Sequence, residues 1–337
     1  MSKFRIGLTR DLLTPDGSPS FGTGPLAILD AAAGVEWEYL PDVISEITPD
    51  IAATYDGLYV NSPRVTAASL ARDDCRVRII ARHGVGYDSV DIEAAGARGI
   101  TVTNTPLAVR RPVAVAALTM LFALAGRLFA KDALVRSNQW DQRTAHMGLG
   151  LTGRTLGVVG AGGIGQELLR LAAPFGLSLL ATDPHTPPAT LDQLGTTGVA
   201  LDELLTRADF VVISCVLDAQ THHLINADRL AQMKPDAFLI NLARGPVVDE
   251  QALITSLQRG DIAGAGLDVF EQEPIAPDNP LLQMEQVILT PHSLCWTDEC
   301  FDQIATEGLR CLTDFVSGNT PGSVVNTPWL TGANARR

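Results

Sequence analysis

The run Val158-Val159-Gly160-Ala161-Gly162-Gly163-Ile164-Gly165 decides the fold. Two β-branched residues enter it, a helix-forming stretch leaves it, and Asp183 closes the next apolar run, 177–182. Strand, G-x-G-x-x-G turn, helix and an acid at the end of a second strand make up a dinucleotide-binding βαβ unit. Gly160 is expected to permit the tight turn, Gly162 to let the backbone approach a pyrophosphate, and Gly165 to let the helix pack closely on the strand. Gly163 and Ile164 open that helix, whose free amides and positive dipole end favour phosphate. Asp183 is placed to accept hydrogen bonds from a ribose 2′-hydroxyl and to repel a 2′-phosphate. That predicts NAD as the cofactor, with NADH preferred over NADPH.

The rest of the chain suits such a unit. Its 337 residues exceed one comfortable core and predict about two domains. Apolar residues make up 46% and charged residues 19%, the balance of a globular chain in water. A net charge of −13 argues against nucleic acid or an anionic membrane as the main partner, and an anionic substrate would need a local cluster of cations. The beginning reads as a first strand without the apolar core of a signal peptide, and 113–125 is too short to span a bilayer, so the cytoplasm is expected. The five cysteines show no paired C-x-x-C spacing and are read as reduced thiols. His222 and His223 are adjacent, so on a helix they would point apart, and they are read as surface residues. No metal site is indicated.

Apolar runs of strand length alternate with helical stretches from end to end. A first group covers 6–8, 35–40, 57–60, 77–80 and 100–102; an apolar helix follows over 112–127, with Pro112 suited to its first position. A second group covers 155–159, 177–182, 210–215, 237–241, 264–269 and 287–290. This pattern predicts an α/β fold of two doubly wound parallel-sheet domains with a cleft between them. The helix over 298–316 is expected to return to the first domain. The division is therefore 1–107 with 294–337 for a substrate domain, and 108–293 for the cofactor domain. Within the latter, 137–153 carries Trp140, Met147, Leu149 and Leu151 on an irregular arm, which predicts a dimer contact; packing on the chain's own core is the alternative. The small, polar tail 331–337 is expected to fray.

Three polar groups follow apolar strands of the second half, where ligands of open α/β sheets bind. Asn241-Leu242-Ala243-Arg244-Gly245-Pro246 offers a guanidinium able to grip a carboxylate bidentately and polarise the neighbouring carbonyl; a surface ion pair with Asp249 or Glu250 is the alternative. Asp268-Val269-Phe270-Glu271-Gln272-Glu273-Pro274 supplies three acids, of which Glu271 is read as solvated. Thr290-Pro291-His292 ends the last strand with an imidazole.

These motifs, with His83-Gly84-Val85-Gly86-Tyr87-Asp88 and Val102-Thr103-Asn104-Thr105-Pro106, resemble the D-isomer-specific 2-hydroxyacid dehydrogenase family over about residues 77–325. The resemblance implies a Rossmann cofactor domain beside a flavodoxin-like substrate domain. It implies Arg244, Glu273 and His292 as the catalytic trio, acting on a small anionic 2-keto or 2-hydroxy acid in a homodimer. It assigns Cys215, Val216, Ala243, Asp268 and His292 to the cofactor, with Asp268 on the nicotinamide carboxamide. It assigns Asn61, His83, the amides of Gly84, Val85 and Gly86, Arg244 and Trp296 to the substrate. In this scheme hydride passes from NADH to a 2-keto acid while His292 gives a proton to the carbonyl oxygen, with Glu273 stabilising imidazolium.

The match departs from the family in places. Where phosphoglycerate enzymes often carry Val-Arg-Ser, this chain reads Val60-Asn61-Ser62, which weakens a phosphorylated substrate unless Arg64 or Arg82 compensates. Val216 replaces a common proline, and Val115 a common glutamate. Arg110 and Arg111 either face the cleft or are solvated, and Trp296 either walls the pocket or joins the core. Two further readings stand beside the main one. One is an NADH-sensing corepressor-like protein of the same fold, and the other is a phosphoglycerate dehydrogenase-type enzyme. A formate dehydrogenase is disfavoured, because Glu273 supports His292 as an acid.

Overall fold

The computed structural model describes residues 3–330; the tail 331–337, expected to fray, lies outside the described residues. The chain forms two compact units, Met1–Val109 with Trp296–Arg337, and Arg110–Cys295. The division falls two residues beyond each expected boundary, because the apolar crossover helix starts at Arg110.

The first unit is built on five parallel strands, β1 (Phe4–Leu8), β2 (Val35–Tyr39), β3 (Gly57–Val60), β4 (Ile79–Arg82) and β5 (Thr101–Thr103), in the order β2-β1-β3-β4-β5. Both faces are apolar, as a parallel sheet wound on two sides requires. Leu58, Val60, Ile80 and Val102 fill one core, while Ile6, Leu8, Tyr59 and Ile79 fill the other. The helix Asp298–Val316, capped by Thr297, covers the second face with Ala305, Leu309 and Leu312. β4 begins at Ile79, two residues later than the apolar run. The Arg76 and Arg78 amides bond to Ala52 and Asp56 carbonyls, outside the strand ladder, although Val77 is buried.

The second unit carries seven parallel strands, β6 (Thr155–Val159), β7 (Ser178–Thr182), β8 (Thr197–Gly198), β9 (Phe210–Ile213), β10 (Phe238–Asn241), β11 (Gly264–Leu267) and β12 (Val287–Leu289). Their order is β12-β11-β10-β9-β6-β7-β8, so the winding reverses between β6 and β9. Ligands of such sheets sit outside the strand ends at that reversal. Two-residue β8, Thr197-Gly198, has no large apolar side chain and escapes a hydropathy reading.

The crossover helix spans Arg110–Gly126 rather than starting at Pro112. Proline is tolerated at its third position because the first four helical amides have no intrahelical acceptor. Arg127 then takes φ +50° and a second helix, Leu128–Arg136, departs at 57°. No single helix among the described residues is long and apolar enough to cross a membrane. In the segment 137–153, Leu149 and Leu151 pack on this unit's own core, whereas Trp140 and Met147 are exposed.

One buried charge ties the entrance of β6 to that of β9. Asp209 accepts from the Thr155 amide at 2.7 Å, from Lys234 Nζ at 3.0 Å and from Arg154 at 3.3 Å. Burial alone would raise its carboxyl; the Thr155 amide and the Lys234 ammonium outweigh that and hold it below the ordinary value. A carboxyl depressed in the fold contributes stability above the ordinary carboxylate range and loses it as pH falls through that range. Asp209→Asn is therefore expected to cost about 2 kcal/mol at pH 7 and to flatten the loss of stability below about pH 4 in urea titrations. Wild-type stability at pH 7 would show that the carboxylate contributes nothing.

Candidate active site

The glycine turn follows β6 at the point of reversal. Gly160 has φ +95°, and a Cβ there would lie 2.6 Å from the Cys215 amide nitrogen. A Cβ on Gly165 would overlap the Gly160 carbonyl oxygen. The helix Gly163–Ala172 thus enters directly against the strand end, as its sequence requires. Gly162 has open space where a side chain would be, and it caps the helix without a side-chain hydrogen bond. The amides of Gly163 and Ile164 donate to no protein group among the described residues.

Neighbouring side chains hold this turn. Asp183 accepts from the Ala161 amide and from the His185 amide, both at 2.7 Å. Ser214 Oγ donates to Gly160 O at 2.6 Å, and Gln166 and Thr186 both donate to Ala161 O. Ser214 carries no motif of its own in the sequence; only its place at the end of β9, beside the turn, could have marked it. Cys215 follows it, its thiol pushed up to about 11 by burial and so un-ionised at neutral pH. Val216 is 72% exposed on the same rim. Exposed amides, room for a pyrophosphate and an acid at the end of β7 fit NAD.

Three strand ends away from the turn, an arginine, a glutamate and a histidine converge. Asn241, buried at the end of β10, takes the Ala243 amide on Oδ1 and gives Nδ2 to the Arg244 carbonyl, folding the chain back. A Cβ on Gly245 would overlap the Phe270 carbonyl, so only glycine lets this corner approach the loop after β11. The Arg244 guanidinium donates to the Ala243 carbonyl at 2.7 Å. Glu273 Oε1 accepts the Phe270 amide at 3.0 Å, and Oε2 lies 2.8 Å from His292 Nδ1. A carboxylate can only accept, so Nδ1 carries the proton of that bond. His292 Nε2 is left without a protein partner among the described residues. Burial would raise the Glu273 carboxyl, but the His292 and Phe270 hydrogen bonds, with the charges of His292 and Arg244, bring it below its ordinary value.

His292 has φ +53°, a conformation unfavourable for any side chain with a Cβ. Asp268 holds it there. Its buried carboxylate accepts Thr290 Oγ1 at 2.6 Å, the Ser293 amide at 3.0 Å and the Leu294 amide at 3.1 Å. Burial raises this carboxyl above its ordinary value despite those bonds. Glu271 is not merely solvated: its Oε1 lies 2.6 Å from His223 Nε2. Nor do His222 and His223 point apart. They sit in a turn, with His223 at φ +51°, and their rings stack at 4.1 Å. Nearby, Asp249 caps the helix Glu250–Arg259 and Glu250 accepts from Asn279.

In the first unit the loop 84–86 is braced from behind. The Gly84 amide is committed to Thr105 Oγ1 at 3.1 Å, and Asn104 Nδ2 donates to the Val85 carbonyl at 2.8 Å. Among the described residues the Val85 and Gly86 amides have no protein partner, so the expected three-amide cradle is reduced to two. His83 is buried, 2.6 Å from Tyr59 Oη and packed by Phe21 and Phe301, which corrects its assignment to the substrate. Burial, with Arg82 adding to it, pushes this imidazole down to about 3, so it is neutral and supports the loop from beneath. Asn61 gives its side-chain amide to Asp11 at 2.9 Å. Trp296 is not a core residue; it is 57% exposed and meets Phe301 edge-on.

Comparison with known proteins bears on both units. Residues 118–293 match the D-isomer specific 2-hydroxyacid dehydrogenase, NAD binding domain. A glyoxylate reductase of Thermococcus onnurineus (strain NA1) is 38% identical over 296 residues, 86% of this chain and 88% of that protein. A D-3-phosphoglycerate dehydrogenase of a Synechocystis species is 38% identical over 282 residues, 84% of this chain but 50% of that longer protein. Among solved structures, D-lactate dehydrogenase from Aquifex aeolicus, complexed with NAD and lactic acid, is similar with a TM-score of 0.83 and 28% identity, over 96% of this chain and 99% of that one.

The hold of Asp268 on the corner that carries His292 can be measured. Asp268→Ala strands three donors and is expected to cost about 3 kcal/mol in urea unfolding, with faster amide exchange across 290–294. Asp268→Asn, which retains an acceptor oxygen, should lose less than half as much. Equal stability of Asp268→Ala and wild type would show that the corner holds itself.

Proposed function

Because the chain belongs to the D-isomer specific 2-hydroxyacid dehydrogenase family, we propose that it reduces a small 2-keto acid with His292 as proton donor. It is an NAD-binding oxidoreductase acting on the CH–OH group of a 2-hydroxyacid. NAD, when bound, supplies or accepts the hydride. What carries the proposal is the 2.8 Å pair between His292 Nδ1 and a glutamate whose other oxygen is already fixed by a backbone amide. That carboxylate stays ionised at neutral pH, accepts the Nδ1 proton's hydrogen bond and aims Nε2 outward, where it delivers the proton to the substrate's carbonyl oxygen. Arg244 binds the substrate carboxylate and stabilises negative charge growing on the carbonyl oxygen.

Asp183, at the end of β7, is the reason to propose NADH over NADPH, since a 2′-phosphate would meet a carboxylate. A compact unphosphorylated substrate, glyoxylate among the candidates, is favoured by Asn61, whose amide is committed to Asp11 and leaves no guanidinium at that position. We assign dimerisation to the segment 137–153, on the exposed Trp140 and Met147, and the cytoplasm as its compartment, on cysteines without paired C-x-x-C spacing.

His292→Gln keeps a hydrogen-bonding side chain but cannot give up a proton. With glyoxylate, pyruvate and hydroxypyruvate offered against NADH and NADPH, this variant is expected to lose about 100-fold to 10,000-fold in turnover while binding NADH as the wild type does. Turnover within a few fold of wild type would remove His292 from the chemistry.

A further inference from the structure

Arg110 is the first residue of the crossover helix, and its side chain lies across the first residue of the dinucleotide helix. A Cβ on Gly163 would stand 2.5 Å from Arg110 Nε and 3.0 Å from its Cζ. The guanidinium therefore fills the space that any side chain at 163 would occupy. Gly163 leaves that space to Arg110. The neighbouring cations are accounted for: Arg111 pairs with Glu167 at 3.2 Å, and Arg170 pairs with the same glutamate at 2.6 Å. Arg110 has no carboxylate within ion-pair distance among the described residues.

The place where it is held matters. The helix Gly163–Ala172 presents two unpaired amides and the positive end of its dipole at this spot, and the guanidinium adds a full positive charge. The guanidinium and the positive helix end repel one another, and an anion bound beside both relieves that repulsion. In a chain of net charge −13, with Asp183 nearby in the turn, a cofactor carrying two phosphate charges gains from one local cation. We propose that Arg110 is a binding residue for the cofactor's pyrophosphate, gripping phosphate oxygens through charge-assisted hydrogen bonds beside the Gly163 and Ile164 amides. The proposal rests on the reading of Gly160–Gly165 as the seat of the dinucleotide.

Calorimetric titration of the full-length chain tests it with three ligands: NADH, ADP-ribose, which keeps the pyrophosphate without nicotinamide, and adenosine, which has no phosphate. Arg110→Gln is expected to weaken NADH and ADP-ribose about tenfold or more and to leave adenosine unchanged. It should also make the salt dependence of NADH affinity shallower. Arg110→Lys, with the charge but not the fork, should fall between. The double variant Arg110→Ala/Gly163→Arg, which returns a guanidinium to the same space from the other helix, should recover most of the affinity. Wild-type affinity of Arg110→Gln for ADP-ribose would overturn the role of Arg110, as would an equal loss for adenosine. A wild-type chain that binds neither NADH nor ADP-ribose would instead overturn the cofactor seat itself.

Discussion

A single buried carboxylate carries the rest of the structure's chemistry. Asp268 draws Thr290 Oγ1 and the Ser293 and Leu294 amides onto itself, and so closes the corner on which His292 sits at φ +53°. A left-handed conformation costs a residue with a Cβ about 1–2 kcal/mol. The three hydrogen bonds gathered on Asp268 oppose that strain. Without that hold the corner could relax toward ordinary backbone angles and the imidazole would leave Glu273. The pKa directions of the two acids follow from the same geometry. Asp268 is deeper, and burial wins; Glu273 takes hydrogen bonds from His292 and the Phe270 amide, and those outweigh its burial.

The strand ends that carry chemistry were legible because two constraints act on sequence locally. A parallel sheet covered on both faces demands unbroken apolar runs, so the polar residue that ends each run stands out: Arg244 after β10, Asp268 after β11, His292 after β12. The glycines of the turn were legible for the same reason, since overlap at Gly165 and positive φ at Gly160 exclude other residues. Less visible were features set by partners distant in sequence. Glu271 read as solvated because nothing local announces His223, 48 residues away. His83 read as a ligand-facing residue because it opens the motif that carries the family resemblance, whereas its ring is buried among Phe21, Tyr59 and Phe301. The Gly84 amide, committed to Thr105, shows that a motif can name a loop without telling which of its donors remain available.

Boundaries failed where hydropathy and hydrogen bonding part company. Val77 is buried yet lies outside the β4 ladder, and the crossover helix admits Pro112 at its third position because helical amides there need no acceptor. The break at Arg127, by contrast, falls where the apolar run ends, at the expected end of the crossover helix.

The central claim is that the imidazole held by Asp268 and Glu273 faces the reacting carbonyl. The most direct measurement is a crystal structure with NADH and oxamate, an unreactive mimic of a 2-keto acid. The account predicts His292 Nε2 within hydrogen-bond distance of the oxamate amide-carbonyl oxygen, the Arg244 guanidinium on the same molecule, and the His292–Glu273 bond intact. Oxamate bound beside the nicotinamide with the imidazole turned away, or with another side chain in its place, would contradict it.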